Sequence, residues 1–252
     1  MDFVLVGAKA RDLILHHVYG APVRRATLDV DIALQVSDWA AFHAVRDTLI
    51  AQGYSATAAD HRLLPAAGGC IDIIPFGGIA NDKGQIAWPP TGLIEMTVTG
   101  FEESYRSACR IEFDDEPDLV LPVASLEGMT IMKLIAWSER DPAERRKDAA
   151  DIAYILSNYH LVDADRGTPF EPKWQFLMER HGYDLQITSA HLLGHRIRQI
   201  AQRETLSALV TLLDDGIAHR NVEVLLLEMR RSDSANDYPA LFEALEDGLR
   251  DR

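Results

Sequence analysis

Chemistry is most concentrated in the segment Leu28-Asp29-Val30-Asp31-Ile32-Ala33-Leu34. Strand side chains alternate faces, so Leu28, Val30, Ile32 and Leu34 are expected on a core face and Asp29 and Asp31 together on the other. Strand rise puts the two aspartates about 6.6 Å apart between Cα atoms. Carboxylates that close repel each other, and a divalent cation or one raised pKa relieves the repulsion. Carboxylate oxygen is the hard donor that Mg²⁺ prefers. A third acid has a similar setting: Cys70-Ile71-Asp72-Ile73-Ile74 puts Asp72 on the face opposite Ile71 and Ile73. With that strand paired beside 28–34, Asp72 comes within about 5 Å of the first pair. Three acids on one open face suit two divalent ions about 3.5–4 Å apart, an arrangement for in-line displacement at phosphorus. Alternation alone also produces the solvated face of an ordinary amphipathic strand. What sets this segment apart is the apolar strand ending in Gly7 before it and the isolated acid in an apolar strand after it.

The elements that must position these residues follow from periodicity. Phe3–Val6 reads as a strand ended by Gly7, and Ala8–Val18 as a helix with Leu13, Ile14 and His17 at helical spacing. Ser37-Asp38 reads as an N-cap for a helix over Trp39–Ala51. Cys70–Phe76 is a further strand, closed by Gly77-Gly78, and Leu93–Val98 and Leu119–Leu121 are weaker strand signals. After Pro122 the pattern turns helical: about 125–138, 142–157, Ala190–Gln202, Leu206–Leu213, Val222–Met229 and Pro239–Leu249. The expected fold is α+β, close to α/β, with a mixed domain over 1–123 and an all-helical domain over 124–252. His160–Pro172, with Asp163, Asp165, Gly167, Pro169 and Pro172, is the best linker candidate.

Composition sets the outer bounds. The 252 residues carry 25 Lys+Arg against 39 Asp+Glu, a formal net charge of −14. That balance argues against non-specific binding of duplex DNA, which needs broad positive surface. It leaves room for a local basic groove or a basic protein partner. Cys70 and Cys109 are the only cysteines, which excludes a disulfide framework and fits a reducing cytoplasm. No apolar run is long enough to span a membrane, and the start of the chain lacks the basic region of a signal peptide.

Two groups of residues together carry a family resemblance. Val6-Gly7-Ala8, Arg25-x-Thr27-x-Asp29-x-Asp31 and Asp72 resemble the motifs of the DNA polymerase β-like nucleotidyltransferase superfamily. Lys133-Leu134-Ile135-Ala136-Trp137-Ser138-Glu139-Arg140, followed by Arg146-Lys147-Asp148-Ala149-Ala150-Asp151-Ile152, is similar to the corresponding stretch of AbiEii/MenT-type nucleotidyltransferases. The resemblance spans roughly 3–158. It implies a polymerase-β-type mixed sheet with flanking helices, NTP as substrate, and Mg²⁺ (or Mn²⁺) held by Asp29 and Asp31. Asp72 would complete the metal site or act as base toward an acceptor hydroxyl. Gly7 and Ala8 would offer backbone N–H groups to the triphosphate, with Lys9, Arg25 and Thr27 nearby. Lys133 would contact a nucleotide phosphate and Asp148 would order Lys133 or assist catalysis, both contributing to the active-site cleft. Ala8 stands where many members have Ser, which removes one hydroxyl from the phosphate site.

The function implied is transfer of a nucleoside monophosphate from an NTP to an acceptor hydroxyl. The resemblance further implies a toxin acting on RNA, such as a tRNA 3′ end, with a cognate antitoxin protein and no membrane partner. The alternative is a catalytically weak nucleotide- or partner-binding module of the same fold. A sugar-nucleotide-dependent glycosyltransferase using the Asp29/Asp31 pair ranks lower, because it leaves Asp72 and the Lys133/Asp148 region unexplained. Other signals read as structure at least as readily. The cations Lys133, Arg140, Arg145, Arg146 and Lys147 are either a phosphate- or RNA-binding patch or a solvated helix face. His191 and His195 have Zn²⁺ spacing but no third ligand. Trp88-Pro89-Pro90 reads as a loop with a packed Trp, and Cys70 as a small core residue.

Overall fold

The computed structural model describes residues 2–23, 28–215, 222–232 and 235–250. The chain divides into two compact units, one of Met1–Leu13 and Val23–Met129, the other of Ile14–Pro22 and Thr130–Arg252.

The first unit carries, in chain order, β1 (Phe3–Val6), α1 (Gly7–Asp12), β2 (Asp29–Val36), α2 (Trp39–Ala51), β3 (Ser55–Ala56), β4 (Arg62–Leu64), β5 (Cys70–Gly77), β6 (Gln85–Trp88), β7 (Ile94–Thr97), α3 (Phe101–Arg106), β8 (Cys109–Phe113) and β9 (Glu116–Val123). Seven strands form one mixed sheet in the order β3-β4-β5-β2-β1-β9-β8, and β6 and β7 pair separately. β2 sits inside the sheet, antiparallel to β1 and parallel to β5. Val4, Ala33, Leu34, Leu63, Ile73 and Phe76 are buried on and around these strands. The Asp38 carboxylate accepts from the Ala41 N–H at 2.9 Å, capping α2 as the sequence suggests.

Two expectations about this unit need correction. The aliphatic face of β2 is buried only toward its end: Leu34 and Val36 are buried, but Val30 and Ile32 are half-buried and Leu28 is 77% exposed. Leu28 and Val30 lie beyond the end of β1, which pairs only with Asp31–Leu34. Trp88 ends strand β6 rather than lying in the Pro89-Pro90 turn, though it is packed as expected, against Trp39 at 5.2 Å and Phe42 at 5.8 Å between ring centroids.

The second unit is helical. The chain enters it within α4 (Leu126–Glu139), then forms α5 (Arg145–Arg166), α6 (Gln175–Arg180), α7 (Leu185–Ile200), α8 (Arg203–Asp215), α9 (Val222–Ser232) and α10 (Tyr238–Arg250). A π-helical stretch, Leu13–Val18, continues directly from α1. α5 is longer than expected and runs through the first half of the proposed linker. Val162 and Asp163 are buried within it, and it stops only at Gly167, where φ is +67°. Neither Gly nor Pro interrupts the run before that point, so Asp163 and Asp165 do not break it. α7 and α10 meet at glycines: a Cβ on Gly194 would overlap the Leu245 backbone oxygen, and one on Gly248 that of His191. Among the described residues no helix is long and apolar enough to cross a membrane.

Candidate active site

The carboxylates lie on neighbouring strands of the sheet. Asp31 is the register partner of Asp72 across β2–β5, and of Val6 across β2–β1. Asp29, two residues along the same face, is opposite Cys70. The expected pairing of the two acid-bearing strands is therefore present. β1 ends beside Asp31, and the chain turns at Gly7 with φ +73°. A Cβ on Gly7 would overlap the Asp31 carboxylate, so the turn needs glycine for both its dihedral and its closeness to the acid. Ala8 and Lys9 follow as half-buried residues of α1. Arg25 and Thr27 lie outside the described residues.

The third acid has a partner that the sequence reading did not name. Arg62 on β4 faces Asp72 across the β4–β5 ladder, and its guanidinium donates from Nε and Nη2 to the two oxygens at 2.7 and 2.6 Å. This hydrogen-bonded fork and the charge of Asp72 push the Arg62 pKa above its ordinary value. Cys70 is buried, and its Sγ donates to Asp29 Oδ1 at 3.2 Å. Burial, then the Asp29 contact, pushes the thiol up to about 11, so it stands protonated beside the carboxylate. Among the described residues no three His, Cys, Asp or Glu side chains are gathered closely enough to hold a metal ion. The donor chemistry of Asp29 and Asp31 fits a hard divalent cation, with carboxylate oxygens on one face of one strand. The two oxygens of Asp72 are engaged by Arg62.

Lys133 and Asp148 belong to the helical unit and meet there. Lys133 Nζ lies 3.0 Å from Asp148 Oδ1 and 2.6 Å from Asp151 Oδ2. Arg140 Nη1 donates to both oxygens of Asp148, at 3.1 and 2.9 Å. Asp148 is fully buried between these two cations. Burial pulls the Lys133 pKa down, but Asp151 and Asp148 outweigh it and the net shift is upward. Lys133 therefore stays charged at neutral pH. Arg145 is held by the buried Glu228 at 3.0 Å, leaving Arg146 and Lys147 as exposed members of the cation patch. Arg196 points inward and donates to Asp163 and Tyr159 at 2.6 Å each. His191 is buried against His181, with ring nitrogens 3.2 Å apart, in place of a metal-binding pair with His195.

A family model described as "Nucleotidyl transferase AbiEii toxin, Type IV TA system" matches residues 2–251. The chain belongs to this AbiEii family. It is thus a nucleotidyl transferase, an enzyme that transfers phosphorus-containing groups, and the family implies a nucleotide substrate and an antitoxin partner. Comparison with curated proteins returned no match. AbiEii membership sets aside the glycosyltransferase reading and carries the resemblance from the first 158 residues across the helical unit. Two residues, Asp151 beside Lys133 and Arg62 beside Asp72, join these groups without having been candidates from the sequence. Asp151 was detectable, because it follows Asp148 by three residues and so shares its helix face. Arg62 gave no local signal, since its meeting with Asp72 depends on the register of a short strand.

Proposed function

We propose that this AbiEii protein transfers a nucleoside monophosphate from an NTP to an acceptor hydroxyl with a divalent cation, Mg²⁺ or Mn²⁺, held by Asp29 and Asp31. The observation that carries this reading is the row formed by Asp29 and Asp31 on β2 beside Asp72 on β5, closed at one end by Gly7. In the reaction, the acceptor oxygen bonds to the α-phosphorus, and the bond from that phosphorus to the β-phosphate oxygen breaks. Pyrophosphate leaves, and the hydroxyl proton passes to a base. When bound, the cation neutralises phosphate charge and lowers the pKa of the attacking hydroxyl. Asp29 and Asp31 supply the negative charge that retains it. The Gly7-Ala8 backbone N–H groups and Lys9 serve the triphosphate, with Arg25 and Thr27 supporting them. Asp72 is the remaining carboxylate of the row, available to a cation or to the acceptor proton when Arg62 releases it. In the helical unit, Asp148 and Asp151 hold Lys133, and Asp148 holds Arg140, as charged contacts for substrate phosphate.

The acceptor in this reading is RNA, with a tRNA 3′ end as the first candidate, and the protein works in the cytoplasm, where Cys70 and Cys109 remain free thiols. The test incubates the chain with each labelled NTP, Mg²⁺ and total RNA. Transfer of label is expected for the wild type and is abolished in Asp29→Ala and Asp31→Ala. Wild-type labelling by both variants rejects the mechanism. NTP binding by calorimetry without any labelled product favours the module reading, which the commitment of Asp72 to Arg62 supports.

A further inference from the structure

Four positions stand in line across the sheet: Arg62 on β4, Asp72 on β5, Asp31 on β2 and Val6 on β1. Two acids, Asp72 and Asp31, are neighbours in this row, and Asp29 lies two residues from Asp31 on the same strand. Asp72 is taken by the arginine beside it, through the two-pronged contact described above. The acid is the inner partner, 13% exposed, and the arginine the outer one, 44% exposed. Arg62 is therefore able to move its long side chain into water while Asp72 stays fixed on its strand. The charge of Asp29 also reaches Arg62, adding slightly to the pull of Asp72.

We infer that Arg62 is a positioning residue that withholds Asp72 from the cation site of Asp29 and Asp31, so that Arg62 sets the divalent affinity of the free protein. This rests on the proposed assignment of Asp29 and Asp31 as ligands. Removing Arg62 takes a positive charge from beside the site and frees two carboxylate oxygens. Both changes favour a hard divalent ion. A residue that only supported the fold would not tighten cation binding when removed.

The experiment titrates Mn²⁺ into the full chain without nucleotide and reads free Mn²⁺ by electron paramagnetic resonance. Arg62→Gln is expected to tighten Mn²⁺ binding roughly ten-fold. Arg62→Lys, which keeps the charge but loses the fork, falls between it and the wild type and covers the case of a poorly folding Gln variant. In an Asp72→Asn background the gain from Arg62→Gln is expected to be largely lost. A full gain in that background would mean that Arg62 acts by charge alone, and would overturn its role through Asp72. Unchanged or weaker binding by both Arg62 variants, with Asp31→Asn still abolishing Mn²⁺ binding, would overturn the inference while leaving the ligand assignment intact. Mn²⁺ binding that survives both Asp29→Asn and Asp31→Asn would remove the underlying site reading instead.

Discussion

Gly7 and Asp31 are matched at the level of single atoms, because the glycine turn occupies the space that a side chain would need beside the carboxylate. Gly7→Ala places a Cβ into that carboxylate and also forces alanine to φ near +73°. The backbone conformation alone costs about 1–2 kcal/mol, and the displaced Asp31 is expected to lower nucleotidyl transfer by roughly a hundred-fold, in the range seen when a catalytic charge is misplaced. Urea unfolding and the RNA-labelling assay measure the two effects separately; normal labelling would mean that the Asp31 position is not critical. Asp148 tests a different physical term. It is fully buried and accepts from both Lys133 and Arg140. Asp148→Asn keeps the shape and removes the charge, leaving Lys133 with Asp151 alone. Breaking a buried pair from one side costs about 3–5 kcal/mol. Arg140 is 41% exposed and can turn to water, so about 2–3 kcal/mol is expected here. An unchanged urea midpoint would show that the cluster is not a stability element.

Helix α7 meets α10 through two glycines, each set against the other helix's backbone. Gly194→Ala or Gly248→Ala must drive the helices apart, and overpacking of this kind costs about 1–3 kcal/mol, more where backbone cannot shift. Alanine's better helix propensity returns only about 1 kcal/mol. A net loss of stability is expected in both variants, and a gain in thermal midpoint in either would contradict the close approach. These glycines could not be read from the sequence, because a glycine in a helix announces nothing about its neighbour. The same contrast runs through the fold. β1 and α2 match their sequence boundaries because their patterns are local: alternation, a terminating glycine and an aspartate cap. β4 and β8 escaped notice because short strands become strands only by pairing. The end of α5 escaped because its run of aspartates before Gly167 resembles a linker. At the candidate site, strand alternation disclosed Asp29, Asp31 and Asp72. Their relation to Arg62 depends on cross-strand register, which no local pattern encodes.

Across the molecule, an excess of 14 acidic charges coexists with basic side chains committed to internal partners, among them Arg62, Arg145 and Arg196. Acidification reduces the negative charge, but histidine burial works against the folded state there. His191 is 4% exposed, and burial, then neighbouring His181 and Arg180, hold its pKa down to about 4 from an ordinary 6.5, against the opposing pull of Asp247. Burial also lowers His181 and His160. A depressed folded pKa means that the unfolded chain binds the proton first. Stability is therefore complete above about pH 6.5, falls as pH drops toward 4, and has no further slope from this group below that. At about 1.4 kcal/mol per unit, His191 alone accounts for a loss of order 3 kcal/mol across that window. His191→Gln keeps a hydrogen-bonding group beside His181 and does not titrate. Its urea midpoint is expected to fall less than that of the wild type between pH 7 and pH 4.5, while the carboxylates contribute alike to both. Parallel curves for the two proteins would show that His191 takes up its proton without unfolding, and that the buried His181–His191 contact is not what makes this chain acid-sensitive.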